Sequence, residues 1–246
     1  MRRFFCKPED IKQDYIYIKD REVIHHIKNV LRMKTKDKII IFSNTGSEYE
    51  GLIYDIKQKL ISVSIQKTNP TPIEDNKLIL TIACAVPKKA KLDDIIDKLT
   101  QLGVYRIIPL VTEHTVVRWK KDVRESRFKR WQKIAVCAAQ QSQRNTPPII
   151  EPLQDLKDLL SDESYDFDLK LIPTLAGERR ALKEVFRATC HKSVIVIIGP
   201  EGDFSSGEVN LAEKAGFIAV SLGELVLRVD TAALAVASFI RLYENH

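Results

Sequence analysis

The sequence predicts an α/β protein in which a mostly parallel sheet carries helices on both faces and follows a small β-barrel. The first observation behind this prediction is that short apolar strands alternate with helices from Lys77 onward, which is typical of parallel sheets. The second is that residues 14–68 contain several β-rich runs separated by turn residues, which is typical of a small barrel.

The N-terminal strands are predicted from runs of β-branched and aromatic residues, with one short helix at 21–30 among them. Two prolines in the segment 69–72 cannot continue a strand ladder, so they predict a linker after the barrel. The predicted barrel strands are 16–18, 38–42, 49–54 and 60–65. The predicted divisions of the chain are a barrel domain at 1–70, a linker at 71–76 and a second domain at 77–246.

The second domain ends in a helix that is predicted to run from about Ala232 to about Tyr243. This helix is apolar on nearly all sides as far as Ile240, so we expect it to be buried or to form an interface. The other elements predicted here are strands at 78–86, 105–111 and 168–173 and helices at 91–102, 124–142 and 178–189.

The most informative segment is the loop after the apolar run Ile195–Ile198, a run typical of a strand buried on both faces. The run stops at Gly199–Gly202, where glycines allow backbone angles closed to other residues and a proline fixes one torsion. Ser205, with Glu208 three residues later, predicts a capping box and therefore a helix that reaches Ala215. In open α/β sheets, ligands bind where strands end in such loops.

A second loop of the same kind follows a predicted strand at 216–222 and begins at Gly223. Arg228 lies in an apolar stretch just ahead of the last helix, and a lone arginine in that position indicates a fixed partner. Asp230 and Thr231 are the candidates for capping the helix.

Composition indicates a soluble globular protein, since 44% of the residues are hydrophobic and no apolar run approaches the roughly 18 residues of a membrane helix. The first residues lack the apolar segment of a signal peptide. The four cysteines include no Cys-x-x-Cys pair, which excludes the usual zinc spacings and indicates a reducing compartment. We therefore expect a cytoplasmic protein with no membrane association and no bound metal.

The net charge of +6 is unevenly distributed. Residues 1–72 carry 14 basic and 9 acidic side chains, a net of +5, whereas residues 73–246 carry 25 and 24, a net of +1. Within the second part, the stretch 118–144 holds nine basic residues and two acidic ones. Two basic patches on an otherwise balanced chain indicate a polyanionic partner. For the second patch, a solvated helix face is the alternative.

The two glycine loops resemble those of a known enzyme superfamily. Gly199–Gly202, Leu222–Gly223 and Leu227–Ala232 are similar to the cofactor loops of the SPOUT methyltransferases. More narrowly, the chain resembles the RsmE-type enzymes from end to end. Each further match is weak by itself, but their order and spacing are specific: Arg2–Phe5, His25–Arg32, Leu102–Val104, Arg130–Ala135 and Gln141–Asn145.

This resemblance implies a SPOUT-type trefoil-knotted sheet, a PUA-like N-terminal barrel, S-adenosylmethionine as cofactor and a homodimer. The implied reaction is methylation of N3 of a uridine in 16S rRNA, with the assembled small subunit as the expected partner. Two alternatives stay open: a SPOUT methyltransferase acting on another RNA, and a catalytically inactive RNA-binding assembly factor.

The resemblance also assigns site residues by position, while the basic residues of the barrel are expected to contact phosphates. The expected cofactor-binding residues are Pro173, Thr174, Leu175, Ile198, Gly199, Glu201, Gly202, Leu222, Gly223, Val226, Leu227 and Thr231. The expected catalytic residues are Arg144, Arg228, Asp230 and Glu201. The expected RNA-binding residues are Arg2, Arg3, Lys28, Arg32, Lys34, Lys36, Lys91, Arg118 and Arg144.

Arg144 is the leading catalytic candidate because it follows a predicted helix break and its permanent charge can stabilise a uridylate. Phosphate binding is the alternative role for this arginine. For Arg228 the alternative is an ion pair with Asp230 or with a partner subunit. Glu201 is a candidate base, although a glutamate in a glycine loop can instead accept backbone N–H bonds.

Several positions depart from the RsmE-type pattern. Asp203 stands where a second glycine is usual, and Leu225 stands where an arginine is usual. Val229–Asp230 replaces a threonine–glutamate pair, and the segment 140–144 differs from the usual Glu-Gln-x-Gly-Arg. We expect these changes to affect substrate contacts more than the cofactor loops.

Overall fold

The chain divides into two units, which the computed structural model describes over residues 2–70, 78–88, 92–115, 119–162, 165–187 and 191–244. The first unit combines Met1–Asp75 with Ala139–Pro147, and the second combines Asn76–Ala138 with Pro148–His246. The predicted linker at 71–76 lies outside the described residues.

The first unit is a curled sheet of five strands. Its strands are β1 (Arg2–Phe5), β2 (Tyr15–Ile18), β3 (Lys38–Phe42), β4 (Glu48–Ile56) and β5 (Ile61–Asn69). They follow the order β1-β3-β4-β5-β2, in which β1 is parallel to β3 and the other neighbours are antiparallel. β1 is the strand that the sequence pattern does not predict.

Buried side chains alternate with partly exposed ones along β2, which gives the sheet one buried face there. Ile16 and Ile18 of β2 are buried, for example, while the tyrosines that flank them are partly exposed. The predicted helix is present as α1 (Arg21–His25), which continues as a π-helical turn at His26–Val30. Asp20 caps it by accepting two backbone N–H bonds.

The second unit is an eight-stranded sheet in which every pairing between described strands is parallel. Its strands are β6 (Ile79–Ala85), β7 (Arg106–Val111), β8 (Ile149–Ile150), β9 (Gln154–Asp155), β10 (Leu169–Pro173), β11 (Arg180–Ala181), β12 (Ser193–Ile198) and β13 (Ile218–Ser221). The order is β11-β13-β10-β12-β6-β7-β8, and β9 also pairs with β7.

Helices cover both faces of this sheet, as predicted. Successive residues of β12 alternate between two apolar clusters, one shared with α2 and α7 and the other with α4 and α6. The helices are α2 (Leu92–Gln101), α3 (Lys121–Gln141), α4 (Leu156–Ser161), α5 (Leu182–Arg187), α6 (Ser206–Lys214) and α7 (Val229–Glu244). No helix within the described ranges is long and apolar enough to cross a membrane.

Some boundaries differ from the predicted ones. The helix predicted at 178–189 begins only at Leu182, because Arg180 and Ala181 pair with β13 and form the edge strand β11. The two-residue strands β8 and β9 are too short to leave a periodic pattern in the sequence. The helix predicted at 124–142 begins earlier, at Lys121.

Candidate cofactor-binding site

Three loops meet at one edge of the parallel sheet because β13, β10 and β12 are neighbours and their carboxyl ends point the same way. A cleft of about 600 Å³, including the solvent at its mouth, lies between these loops. The carboxyl edge of an open α/β sheet is the usual position for a ligand.

Ten of the twelve residues that the sequence assigns to the cofactor line this cleft. The other two, Gly202 and Thr231, lie in the same segments but do not line it. A Cβ atom on Gly202 would lie 3.6 Å from Cβ of His114, which is an ordinary contact. The ten lining residues are Pro173, Thr174, Leu175, Ile198, Gly199, Glu201, Leu222, Gly223, Val226 and Leu227.

The loop after β12 needs a glycine at its first position. A Cβ atom on Gly199 would lie 2.9 Å from the ring of Phe204, which is buried in the core. The predicted capping box is present: Ser205 Oγ accepts the N–H of Glu208, and the Glu208 carboxylate accepts the N–H of Ser205. The loop is therefore held between a packed ring and a fixed helix start.

Asp203 connects this loop to the end of β10. Its backbone has φ of 59°, in the left-handed region that favours glycine. Its Oδ2 accepts hydrogen bonds from the Thr174 hydroxyl at 3.0 Å and from the Leu175 N–H at 2.8 Å. The His114 ring bonds to the Asp203 carbonyl at 2.9 Å. Asp203 thus ties together two walls of the cleft.

The loop after β13 turns at Gly223, whose φ of 129° also lies in the region that favours glycine. Ser221 Oγ stabilises the turn, since it donates to the Gly223 carbonyl at 3.0 Å and accepts the Gly223 N–H at 3.3 Å. Beyond the turn, Leu225 lines the cleft with 80% of its surface exposed. This loop therefore presents apolar side chains at the mouth of the cleft.

Charges of both signs line the cleft. Glu201 and Asp203 supply carboxylates, and Arg179 supplies a guanidinium that donates to the Thr174 carbonyl at 3.1 Å. Beneath them, burial raises the pKa of the Cys84 thiol to about 12, and the negative charges of Asp230 and Glu201 add to the shift. Asp230 and Glu201 therefore both lie within electrostatic reach of the Cys84 thiol.

The four catalytic candidates occupy different places. Glu201 Oε1 accepts the Lys88 N–H at 3.1 Å, which is the alternative role given above for a glutamate in a glycine loop. Asp230 stands in the first turn of α7 and accepts the Thr231 N–H at 3.0 Å. Arg228 is exposed, and its carbonyl accepts the Ala232 N–H. No ion pair joins Arg228 to Asp230, both of which lie in the described part of the chain.

Arg144 belongs to the first unit and follows the end of α3. Gln143 has φ of 60°, and the Arg144 N–H donates to the Ala139 carbonyl at 2.9 Å. This combination is a Schellman-type helix end, so the predicted helix break before Arg144 is present.

Most predicted RNA-binding residues of the first unit are exposed, but Arg144 is partly buried and Arg3 requires a correction. Arg3 keeps only 9% of its side chain exposed, because it pairs with Glu48 at 3.1 Å and donates to Asn145. Its guanidinium also lies over the ring of Phe42. Arg3 therefore holds the segment 139–147 against β1 and β4 and does not face solvent.

Two of the exposed basic residues have an unusual backbone. Arg32 has φ of 51° and Lys36 has φ of 73°, and such conformations are often found at functional sites.

The structure describes neither Lys91 nor Arg118. Within the described ranges, no group of three or more His, Cys, Asp or Glu could hold a metal ion. The exposed predicted residues are Arg2, Lys28, Arg32, Lys34 and Lys36.

Sequence reasoning did not assign Arg179 or Asp203 to the site. Arg179 lies in the loop after β10, of which only the first two residues, Thr174 and Leu175, were assigned. The parallel topology supplies a usable signal, because every loop at the carboxyl edge of the sheet is a candidate wall of the cleft. The Gly-Asp pair at 202–203 is also a turn signal, but it does not reveal where the carboxylate bonds.

Comparisons with known proteins agree with this geometry. Residues 74–241 match the model of the RNA methyltransferase domain family, and residues 18–66 match the model of the RNA methyltransferase PUA domain. The ribosomal RNA small subunit methyltransferase E of Rickettsia conorii is 33% identical over 225 residues, which cover 91% of this chain and 88% of that protein.

Two solved structures are similar over nearly their whole length. Ribosomal RNA small subunit methyltransferase E from Neisseria gonorrhoeae, bound to S-adenosyl methionine, is 26% identical with a TM-score of 0.83 and covers 99% of this chain and 98% of its own. A Legionella pneumophila structure with bound cofactor SAM is 28% identical with a TM-score of 0.87, covering 98% and 97%.

The predicted α/β fold with a PUA-like N-terminal domain is confirmed, as is the resemblance to the RsmE-type enzymes. The methyltransferase model alone spans more than half of the chain. The chain therefore belongs to the RNA methyltransferase family that includes ribosomal RNA small subunit methyltransferase E.

Proposed function

We propose that this protein is an S-adenosylmethionine-dependent enzyme that methylates N3 of a uridine in 16S rRNA. The observation that carries the proposal is the cleft formed by the loops after β10, β12 and β13, found in a member of this RNA methyltransferase family. A single set of parallel strands thus supplies all three walls of the site.

The residues of the cleft fit this cofactor in both polarity and charge. Apolar side chains such as Leu175 and Val226 suit the adenine ring, while Glu201 and Asp203 suit the cationic sulfonium and ammonium groups. Arg179 suits the carboxylate of the methionine portion. When bound, the cofactor supplies an electrophilic methyl group on sulfur. The protein must hold that methyl within about 3–3.5 Å of the target nitrogen.

The target nitrogen must also be prepared by the protein, because uridine N3 is a weak acid that attacks only after it loses its proton. Asp230 and Glu201 are the proposed proton acceptors, because a carboxylate can take up the N3 proton as a general base. Arg228 and Arg144 are the proposed cations that stabilise the uridylate, since a guanidinium stays charged at any physiological pH.

The finer assignments rest on further observations. α7 buries Ala233, Val236 and Ile240 but leaves Leu242 exposed, which supports a homodimer that uses its outer face. The exposed basic residues of the first unit support a role in holding rRNA within the assembled small subunit. We also propose a cytoplasmic location, the division into domains at 1–70 and 77–246, and the trefoil knot implied by the resemblance.

The decisive experiment incubates the protein and labelled S-adenosylmethionine with small ribosomal subunits from a strain that lacks this gene. A methyl group on N3 blocks the pairing edge, so reverse transcription should stop at a single uridine of 16S rRNA. Asp230→Asn, run in parallel, should bind the cofactor but give a weaker stop. Transfer only to another RNA would replace the proposed substrate. If the protein binds the cofactor but transfers no methyl group to any RNA, it is a catalytically inactive RNA-binding factor, and the proposal is overturned.

A further inference from the structure

Three tyrosines form a cluster on the outer face of the five-stranded sheet. The rings of Tyr15 and Tyr17 are stacked, with centroids 6.4 Å apart and planes inclined by 25°. The ring of Tyr54 meets Tyr15 edge-on, with centroids 5.5 Å apart. Tyr54 is 64% exposed, so the cluster offers aromatic surface to solvent. We call Tyr15, Tyr17 and Tyr54 the tyrosine surface.

Strand geometry explains why these rings point outward. In β2 the buried residues are Ile16 and Ile18, so Tyr15 and Tyr17 lie on the opposite face. On β4 the register with β5 shifts between Ile53 and Asp55, which makes Tyr54 the extra residue of a β-bulge. A bulge re-aims its side chain, and here it brings Tyr54 against Tyr15.

Between the tyrosine strands the outer face carries small and apolar side chains. Ser64 of β5 pairs with Tyr15 on one side and with Leu52 of β4 on the other. Leu52 in turn pairs with Lys38 at the start of β3. One row across four strands therefore runs Tyr15, Ser64, Leu52, Lys38, with rings at one end and a cation at the other.

We propose that the tyrosine surface is a stacking platform for unpaired bases of the RNA substrate, with Lys38 contacting the phosphate backbone beside it. This inference rests on the proposed function only in taking RNA as the partner. Bases stack on aromatic side chains without regard to sequence, and this contact is the usual one for single-stranded RNA. The platform lies outside the cofactor cleft and adds a contact that charge alone does not provide.

Charge favours RNA as the occupant. Residues 1–72 carry a net charge of +5, and Lys34 and Lys36, which precede Lys38, are also exposed. The acidic residues next to these tyrosines in the chain are Asp55, which Lys57 pairs at 3.4 Å, and the exposed Asp14. A patch that combines open rings with a surplus of lysines suits a polyanion that has apolar bases.

The test measures the affinity of the full chain for a short fluorescein-labelled oligouridylate by fluorescence anisotropy, without cofactor. Tyr54→Ala should weaken binding about 5- to 10-fold, the order expected for loss of one stacked base. Tyr54→Phe should bind with wild-type affinity, because the ring alone stacks on a base. Tyr54→Leu should bind as weakly as Tyr54→Ala. Tyr105→Ala removes a tyrosine that is 39% exposed in the second unit, and it should bind like the wild type.

Salt dependence separates stacking from charge. Tyr54→Ala should shift the plot of log affinity against log salt without changing its slope, while Lys38→Gln should reduce the slope by about one phosphate contact. Wild-type affinity in both Tyr54→Ala and Tyr15→Leu would overturn the inference and leave a protein partner or cross-strand packing as the role of the rings. Because no methyl transfer is measured, failure of the proposed reaction would not produce that result.

Discussion

The carboxylate of Asp203 accepts a hydrogen bond from the hydroxyl of Thr174 at 3.0 Å, which joins the loop after β12 to the end of β10. The same oxygen accepts the N–H of Leu175 at 2.8 Å. Both Thr174 and Asp203 line the cleft. The relative position of two cofactor walls therefore depends on a carboxylate held in a backbone conformation that glycine would adopt more easily.

Replacing Asp203 should weaken cofactor binding without unfolding the protein. Asp203→Gly relieves the left-handed backbone but removes both hydrogen bonds, so we expect affinity for S-adenosylmethionine to fall about 5- to 10-fold, near the ~1–1.5 kcal/mol of one net hydrogen bond. Isothermal titration calorimetry measures this change directly.

Asp203→Asn is the matched control, because its side-chain oxygen can accept the same two hydrogen bonds, so it should lose less affinity than Asp203→Gly. Any loss that remains measures the contribution of the carboxylate charge. Asp203→Ala loses the bonds and keeps the strained φ, so it should be the least stable of the three variants. If Asp203→Gly binds the cofactor as tightly as the wild type, the connection to Thr174 does not position the site.

A methyl group added at Gly199 should displace the loop after β12, because it would clash with a buried ring. Gly199→Ala places a Cβ atom 2.9 Å from Phe204, and a buried ring cannot shift without cost. We expect a loss of about 1–3 kcal/mol in the free energy of unfolding, typical of overpacking, together with weaker cofactor binding. Chemical denaturation and calorimetry measure the two effects.

Gly207→Ala is the control for this change. Its Cβ atom would lie 3.8 Å from Ser205 Oγ, an ordinary contact, and alanine in the first turn of α6 should leave stability unchanged or raise it by less than the ~1 kcal/mol of a helix interior. Replacing the ring by a smaller side chain, with Phe204→Leu in the Gly199→Ala background, should recover part of the lost free energy of unfolding. A Gly199→Ala variant as stable as the wild type would contradict the packing argument.

The sequence predicts the cleft well where local chemistry decides the structure. The glycines at 199 and 223 and the capping box at Ser205 reveal two strand ends, and those ends line the site. Contacts between residues far apart in the chain are not predicted by local chemistry. Nothing near Asp203 in the sequence indicates Thr174, which is 29 residues away, and nothing near Arg3 indicates Asn145, which is 142 residues away. Such pairs depend on how the strands are ordered in space.

Both candidate arginines are proposed to stabilise the uridylate, and for Arg144 the alternative role is phosphate binding. If Arg228 stabilises the uridylate, Arg228→Ala should lower kcat about 100-fold with little change in RNA affinity, the scale seen when a group that stabilises transition-state charge is removed. If Arg144 anchors phosphate, Arg144→Ala should instead raise KM for the small subunit and leave kcat nearly unchanged.

Lysine substitutions complete this comparison. Lysine retains charge but not the planar guanidinium, so Arg144→Lys should recover binding to a phosphate. A loss of kcat in Arg144→Ala with little change in KM would assign Arg144 to the uridylate, whereas a raised KM with unchanged kcat in Arg228→Ala would contradict the role proposed for Arg228. Single-turnover methylation with small subunits, together with a filter-binding assay, separates kcat from affinity.

Asp168 should make the stability of the second unit depend on pH. Its carboxylate accepts the N–H groups of Lys192 at 2.7 Å and Ser193 at 2.8 Å, and these bonds hold the pKa of Asp168 below its ordinary value of 3.8. A carboxyl group whose pKa is lowered by folding stabilises the folded state above its unfolded pKa. That contribution disappears as the pH falls through the lower, folded value.

Asp168→Asn isolates this effect, because asparagine can accept the same hydrogen bonds but does not titrate. At neutral pH the wild type should melt at a higher temperature than the variant, since a charged acceptor bonds more strongly. The difference should shrink as the pH falls below 3.8 and vanish under the folded pKa. Other carboxylates titrate equally in both proteins and cancel in the difference. A gap that stays constant across this pH range would show that the charge of Asp168 does not stabilise the starts of β10 and β12.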